Sequence, residues 1–252
     1  MKMKNVSIIM YSHRDYSDTW KMFAGQIDKY FPKDVQRFIF TSEDASNVGI
    51  LEINDLYDDW KLVEYEDNIA YNNKVLSCLE KIDTEFCLYH QEDMPLYDKP
   101  NFEAMESFLP EISSGNIDFV KLIKGGLTND IPYNFLKSPY LFKIPQDAEY
   151  LYANQPTIWK TSRLKEIFRN TFSPSIREFE LYAQGTCRSL DIKGCYTYNN
   201  EPKRGEMHWD SSIYPYVATA IVKGKWNTSQ YSKELNFLFK DYDIDPSIRG
   251  EI

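Results

Sequence analysis

Residues Phe86–Tyr97 read FCLYHQEDMPLY. Phe86 to His90 are residues that favour a buried strand, and they run directly into Gln91, Glu92 and Asp93. Met94 and Pro95 then end the strand, because proline has no backbone donor for a sheet ladder. Adjacent carboxylates at the end of a core strand repel each other and lose hydration. Either the strand surfaces there and the acids cap a turn facing water, or the acids hold a cation.

The flanking sequence alternates strand and helix signals. Asn5–Tyr11 (NVSIIMY) is a continuous apolar run, as in a strand covered on both faces. Trp20, Phe23, Ile27 and Tyr30 recur at helical spacing, and Pro32 stops them. RFIFT (37–41) and KLVEY (61–65) read as strands. Tyr71, Val75, Cys78, Leu79 and Ile82 predict an amphipathic helix capped by Asn68, and Phe102, Met105, Phe108 and Ile112 another. DFVKLI (118–123) is a strand ending before Gly125-Gly126. The second half is less regular. TIWKTSRLKEIF (157–168) predicts a short strand, a cap at Thr161 or Ser162, and a helix; SIREFELYAQGTCRSL (175–190) predicts a helix with Phe179, Tyr182 and Cys187 inward. IYPYVATAIVKGKW (213–226) is an apolar segment broken by Pro215 and stopped by Gly224, and SKELNFLFKDY (232–242) a closing amphipathic helix. This alternation predicts an α/β fold with a mixed, mostly parallel central sheet flanked by helices. No Pro- or Gly-rich linker divides the 252 residues, so one domain is expected, with residues 1–125 as a nucleotide-binding half and 126–252 as an acceptor-binding half.

Composition narrows the partners. The net charge of -9, without a Lys/Arg cluster, argues against a nucleic acid polymer and against glycosylation of DNA bases. Aromatic residues make up 15% of the chain, with 19 tyrosines, which suits either stacking on sugars or an aromatic core. Four cysteines without CxxC spacing, and no secretory leader or membrane-length apolar run, lead us to expect reduced thiols and a cytoplasmic protein.

The strand ending in acids, set after an alternating α/β half, resembles the Asp-x-Asp region of GT-A-type nucleotide-sugar glycosyltransferases. NQPTIWKTSRLKEIF (154–168), REFELYAQGT (177–186) and IYPYVATAIVKGKW (213–226) resemble, in the same order, segments of a small bacterial and viral branch of that family. The resemblance covers most of the chain. It implies a single GT-A-like (Rossmann-like) domain. It also implies transfer of a sugar from a nucleotide-diphosphate donor to a hydroxyl of a glycan or lipid-linked acceptor, as in polysaccharide biosynthesis, with inversion and with Mn²⁺ or Mg²⁺. Two departures stand out: Gln91 occupies the place of the first motif acid, and Arg177 stands where the branch often has Trp.

The candidate site residues follow. Asp93 is the expected metal contact, Glu92 its helper, and Gln91 a contact to ion or ribose. Tyr11, Ser12, His13 and Arg14, after the first strand, are nucleotide-loop candidates; their alternative is an ordinary strand-to-helix loop. His208 is a possible second metal ligand or phosphate contact, against an exposed loop histidine, and an imidazole ligand would favour Mn²⁺. Glu178 and Glu180 are the candidate catalytic bases, with Glu178 favoured by the resemblance; lying two apart on a helix, they face different ways. Lys223 and Lys225 are candidate diphosphate contacts, against a basic helix end. Trp159, Trp209 and Trp226 are candidates for a sugar platform, with Trp159 better explained as core, and His90 belongs to the core. Two rivals share the fold. A nucleotidyltransferase would need a glycine-rich basic loop after the first strand, which YSHRDYSD (11–18) does not provide. A catalytically degenerate GT-A-like protein would bind a glycan or act in assembly.

Overall fold

A computed structural model describes residues 3, 5–43, 59–126, 130–133, 140–205 and 208–252. Its backbone centres on one nine-stranded sheet. In chain order the strands are β1 (Val6–Tyr11), β2 (Gln36–Ser42), β3 (Trp60–Tyr65), β4 (Phe86–Gln91), β5 (Phe119–Lys121), β6 (Ile131–Pro132), β7 (Leu141–Ile144), β8 (Thr157–Lys160) and β9 (Gly194–Thr197). They lie in the order β3-β2-β1-β4-β8-β5-β9-β7-β6. The β3-β2-β1-β4 block is parallel, β8 runs antiparallel to both neighbours, and β5 pairs parallel with β9. This is the expected mixed, mostly parallel α/β sheet. Because β8 inserts between β4 and β5, the two halves of the chain share it.

The chain leaves β1 toward β2 and β3 and returns on the other side of β1 as β4. That reversal is a topological switch point, where open parallel sheets bind ligands. The register makes β1 and β4 end flush, Tyr11 opposite Gln91.

Alternation along the strands feeds two cores. Ile8, Met10 and Leu88 pack on one face with α1 (Trp20–Tyr30), α3 (Phe102–Ser113) and α6 (Thr228–Tyr242). Ile9, Tyr11, Cys87 and Tyr89 pack on the other with α2 (Tyr71–Leu79), α4 (Thr161–Asn170) and α5 (Ile176–Ser189). His90 is in the first core as expected: its Nε2 lies 2.6 Å from the Tyr214 hydroxyl and its ring packs edge-on to Phe23. All four cysteines are free and buried. Among the described residues, no helix is long and apolar enough to cross a membrane.

Several local expectations are corrected. The N-cap of α2 is Ala70, not Asn68, and that of α4 is Lys160, not Thr161 or Ser162; neither has a side-chain cap bond. Phe179, Ala183 and Cys187 form the buried stripe of α5 at i, i+4 spacing, so Tyr182, one position off it, is 53% exposed. The segment 213–226 is not regular secondary structure until its end. Residues 215–220 are zipped to the backbone beyond β4 by Tyr97 N to Pro215 O, Val217 N to Pro95 O and Ala220 N to Asp93 O, at 2.9–3.0 Å. A hairpin, β12 (Ile221–Val222) and β13 (Lys225–Trp226), follows. Lys223 and Gly224 both have positive φ at its tip, the geometry of a two-residue hairpin turn. After α6, Asp243 in the left-handed region turns the chain into α7 (Pro246–Arg249), which the sequence pattern had not announced. A small ribbon, β10 (Lys203–Arg204) with β11 (His208–Trp209), carries His208.

Candidate functional site

The turn after β4 stands between two cavities. The first, about 280 Å³, lies at the carboxyl ends of β1 and β4; Tyr11, His13, Tyr16, Tyr65, Gln91 and Glu92 are among its walls. Its aromatic side is built from the strands outward. Tyr11 stacks on Tyr65 with ring centres 5.5 Å apart, and Tyr71 meets Tyr11 edge-on at 5.4 Å. The Tyr65 hydroxyl donates to Ser12 O at 2.7 Å, which fixes the loop after β1. Trp20 Nε1 donates to Ser12 Oγ at 2.6 Å from below. His13 caps the 3₁₀ turn Arg14–Thr19, its Nδ1 accepting from Asp15 N. The nucleotide-loop candidates therefore divide. Tyr11 and His13 face the cavity, and Ser12 is buried as its support. Arg14 is not among the residues lining this cavity: its Nη1 donates to Glu43 O at 2.8 Å, tying the loop to the end of β2. Gln91 ends β4 in the wall of the cavity, and its buried Nε2 meets no acceptor at hydrogen-bond geometry among the described residues.

The second cavity, about 290 Å³, lies past Met94; Gly125, Asn154, Gln155, Glu180, His208 and Thr219 are among its walls. Helix α5 clamps its far wall, residues 150–155, with side chains four apart. Glu180 Oε1 accepts from Asn154 N at 2.8 Å; Gln184 accepts from Tyr152 N at 3.0 Å and donates to Tyr152 O at 2.8 Å. The buried Lys121 ammonium donates to Tyr150 O from beneath, and burial lowers its pKa to about 8. Gly125 lies close under Gln155: a Cβ there would stand 2.4 Å from Gln155 Nε2 and would displace that side-chain amide. Gly125 also bridges to His208, whose Nδ1 lies 3.4 Å from Gln155 Nε2. Burial pushes the His208 pKa below its ordinary value, favouring the neutral ring.

Both acids of this turn are half-buried. Glu92 lines the first cavity; Asp93 stands in the chain between it and Met94, a wall of the second, and lines neither cavity itself. Burial raises both, Asp93 to about 6 and Glu92 well above the usual carboxylate range, and Glu92 is raised further by Asp93. Two crowded carboxylates of this kind fit a hard divalent cation, with phosphate and water oxygens completing its shell. Among the described residues no three His, Cys, Asp or Glu side chains gather as a ligand set, and His208 lines the second cavity while Glu92 lines the first. The residues present thus fit an ion held by the acid turn and do not add His208 in a three-residue cluster.

The remaining candidates also separate. Glu178 belongs to the N-cap of α5: Glu178 N donates to Ser175 Oγ at 3.2 Å, and Ser175 Oγ donates to Glu178 Oε2 at 2.7 Å. It serves the start of α5, whereas Glu180 faces the second cavity. Lys223 and Lys225 are exposed on the hairpin and line neither cavity. Trp226 is fully buried against Phe239 and Trp159 against Phe119, so neither offers a sugar platform. Trp209, half-buried, lies under the ammonium groups of Lys124 and Lys203. Sequence reasoning missed Arg249. It lies on α7 with its guanidinium over Tyr16, a wall of the first cavity. Its only sequence signal is a lone arginine before Gly250, far in sequence from everything it touches.

No family model and no curated protein matches this chain. Solved structures share its fold. TarS 1-349 of S. aureus superposes with a TM-score of 0.52 at 15% identity, over 99% of this chain and 68% of that one. The same fragment in complex with UDP gives 0.52 at 15%, over 98% and 67%. A cytidylyltransferase from Leptospira borgpetersenii gives 0.50 at 11%, over 96% and 97%. The chain spans about two thirds of the TarS fragment and 41% of a longer TarS structure. At these identities the likeness establishes the fold: a single α/β domain of the type shared by GT-A proteins and nucleotidyltransferases.

Proposed function

We propose that this protein is a glycosyltransferase that moves a sugar from a nucleotide-diphosphate donor to a hydroxyl of a glycan or lipid-linked acceptor. One observation carries the reading: a carboxylate turn stands between a tyrosine-walled crevice at the sheet's switch point and a second cavity that presents Glu180. The nucleoside stacks in the first cavity against Tyr11 and Tyr65, with Gln91 Nε2 as donor. The sugar crosses the acid turn into the second. There the Glu180 carboxylate takes the acceptor hydroxyl proton, the acceptor oxygen bonds to the anomeric carbon, and the bond from that carbon to the diphosphate breaks with its electron pair leaving on phosphate. Attack opposite the leaving group inverts the anomeric centre. Asp93 and Glu92 would hold Mn²⁺ or Mg²⁺, which when bound supplies positive charge to the departing diphosphate. The location expected for such an enzyme is the cytoplasm.

Titration calorimetry with UDP, GDP, dTDP and CDP sugars, with and without Mn²⁺, tests the reading. Binding of one donor and its slow hydrolysis, abolished by Asp93→Ala, supports it. Absence of binding by every donor in both conditions refutes it. Donor binding without transfer or hydrolysis identifies a glycan-binding or assembly protein. A nucleotidyltransferase, the activity named for the L. borgpetersenii neighbour, would bind CTP and release pyrophosphate; the glycine-free loop Ser12–Asp18 gives a triphosphate no cradle.

A further inference from the structure

The acid turn leaves one question open: what receives the donor's diphosphate beside two carboxylates, when Lys223 and Lys225 point to solvent? We propose that Arg249 is the diphosphate-binding cation of this site and that Asp18 is its resting counter-ion, which the diphosphate displaces. The inference rests on the donor reading above and assigns a residue within it.

The geometry carries the assignment. The Arg249 side chain is 12% exposed and lies 5.1 Å from the Tyr16 ring centre and 5.5 Å from that of Trp226. Tyr16 and Glu92 both line the first cavity, so the guanidinium packs on the ring of one of its wall residues. Its placement is built in by the backbone: Trp226 N donates to Gly250 O at 2.9 Å and Ile252 N to Trp226 O at 3.0 Å, fastening the segment after α7 to β13. Arg249 Nη1 adds a bond to Gly224 O at 3.3 Å. The rest of the fork meets Asp18, at 2.5 and 2.8 Å, and Asp15 O at 3.5 Å. Asp18 itself is 41% exposed, on the turn after β1.

The ion pairs of Arg249 among the described residues go to Asp18 and not to Glu92 or Asp93. A planar guanidinium matches phosphate oxygens in pairs, and its aromatic neighbours keep it oriented at little entropic cost. Asp18, exposed and on a loop, is a partner that a doubly charged diphosphate outcompetes.

The test compares a nucleoside diphosphate with its nucleoside, using whichever of UDP, GDP, dTDP and CDP binds best, in calorimetry with and without Mn²⁺. Arg249→Gln should weaken the diphosphate at least about tenfold while leaving the nucleoside unchanged, the loss expected for a charged hydrogen-bonded contact. Arg249→Lys should fall between. Asp18→Asn, which removes the competitor, should tighten the diphosphate. Diphosphate binding by Arg249→Gln within about twofold of the parent, or equal loss of nucleoside and diphosphate, overturns the assignment. If Arg249→Gln does not fold, Asp18→Asn decides: unchanged or weaker diphosphate binding overturns it. If the parent protein binds none of the four diphosphates, the donor reading itself fails, and the assignment with it.

Discussion

At the scale of single residues, two glutamates two positions apart have separate duties. Glu178 accepts from the N-cap Ser175 hydroxyl, and Glu180 faces a cavity while bonding Asn154 N. Glu178→Ala keeps the cap bond that its backbone N–H donates to Ser175, so it should cost no more than about 1 kcal/mol, from one lost hydrogen bond and a carboxylate at a helix N-terminus, and leave donor binding intact. Glu180→Gln keeps an acceptor oxygen for Asn154 and should unfold at the parent's temperature. Its transfer rate should fall at least about a hundredfold, the contribution of a positioned base. Paired melting and single-turnover measurements check both; a hundredfold loss in Glu178→Ala instead would reassign the base. His90 gives a second prediction at this scale. Burial holds its pKa at about 3 against an ordinary 6.5, so the unfolded chain binds the proton that the folded one refuses. Its contribution is present above pH 6.5 and lost as pH falls toward 3, at about 1.4 kcal/mol per pH unit. His90→Gln should flatten the stability curve across that window by this slope in chemical denaturation; an unchanged slope would show that another group carries the acid sensitivity.

At the scale of elements, the chain is legible where one periodicity decides and opaque where a distant partner does. Strands β1, β2, β3 and β4 and helices α1 to α3 follow from apolar runs and i, i+4 stripes. So does the acid turn, because Glu92 and Asp93 follow a buried strand. Residues 213–220 misled because their apolar character serves backbone pairing with the chain beyond β4, a long-range event that no local pattern records. Lys223 and Lys225 stand on a local hairpin whose turn is Lys223-Gly224, and both are exposed there. The hairpin offers its own check. Lys223 adopts φ 51° and Gly224 φ 78°. Gly224→Ala should cost about 1 kcal/mol or more, since a Cβ is strained there, while Lys223→Gly should be neutral or slightly stabilising. Loosening the hairpin should also weaken diphosphate binding, because β13 fastens the segment that carries Arg249. A donor affinity unchanged in Gly224→Ala, with stability lost, would separate the hairpin from the site.

At the scale of the whole molecule, the two cores on either side of the sheet set the response to alkali. Cys78, Cys87, Cys187 and Cys195 are all buried, and burial pushes each thiol from about 9 up to about 12. A folded-state pKa raised above the unfolded one means that the unfolded chain loses these protons first. Stability is therefore intact below pH 9 and is lost as pH rises toward 12. Lys121 works in the other direction: its pKa, lowered to about 8, adds stability between pH 8 and 10.5, because the folded chain sheds that proton before the unfolded one. Between pH 9 and 10, four thiols against one ammonium leave a net loss of three protons on unfolding, about 4 kcal/mol per pH unit, and above pH 10 buried tyrosines whose pKa values are also raised, Tyr89 and Tyr231 among them, steepen the fall. That slope removes the whole stability of an ordinary domain within about one to four pH units above 9. Urea unfolding between pH 8 and 11 should show it, with a gain of about 1 kcal/mol up to pH 9 and a steep fall above. Cys87→Ala should start from a lower stability, because it leaves a small void in the sheet, yet lose it about 1.4 kcal/mol per pH unit more slowly. A slope identical to the parent's would mean that Cys87 is not among the groups that make the fold alkali-sensitive.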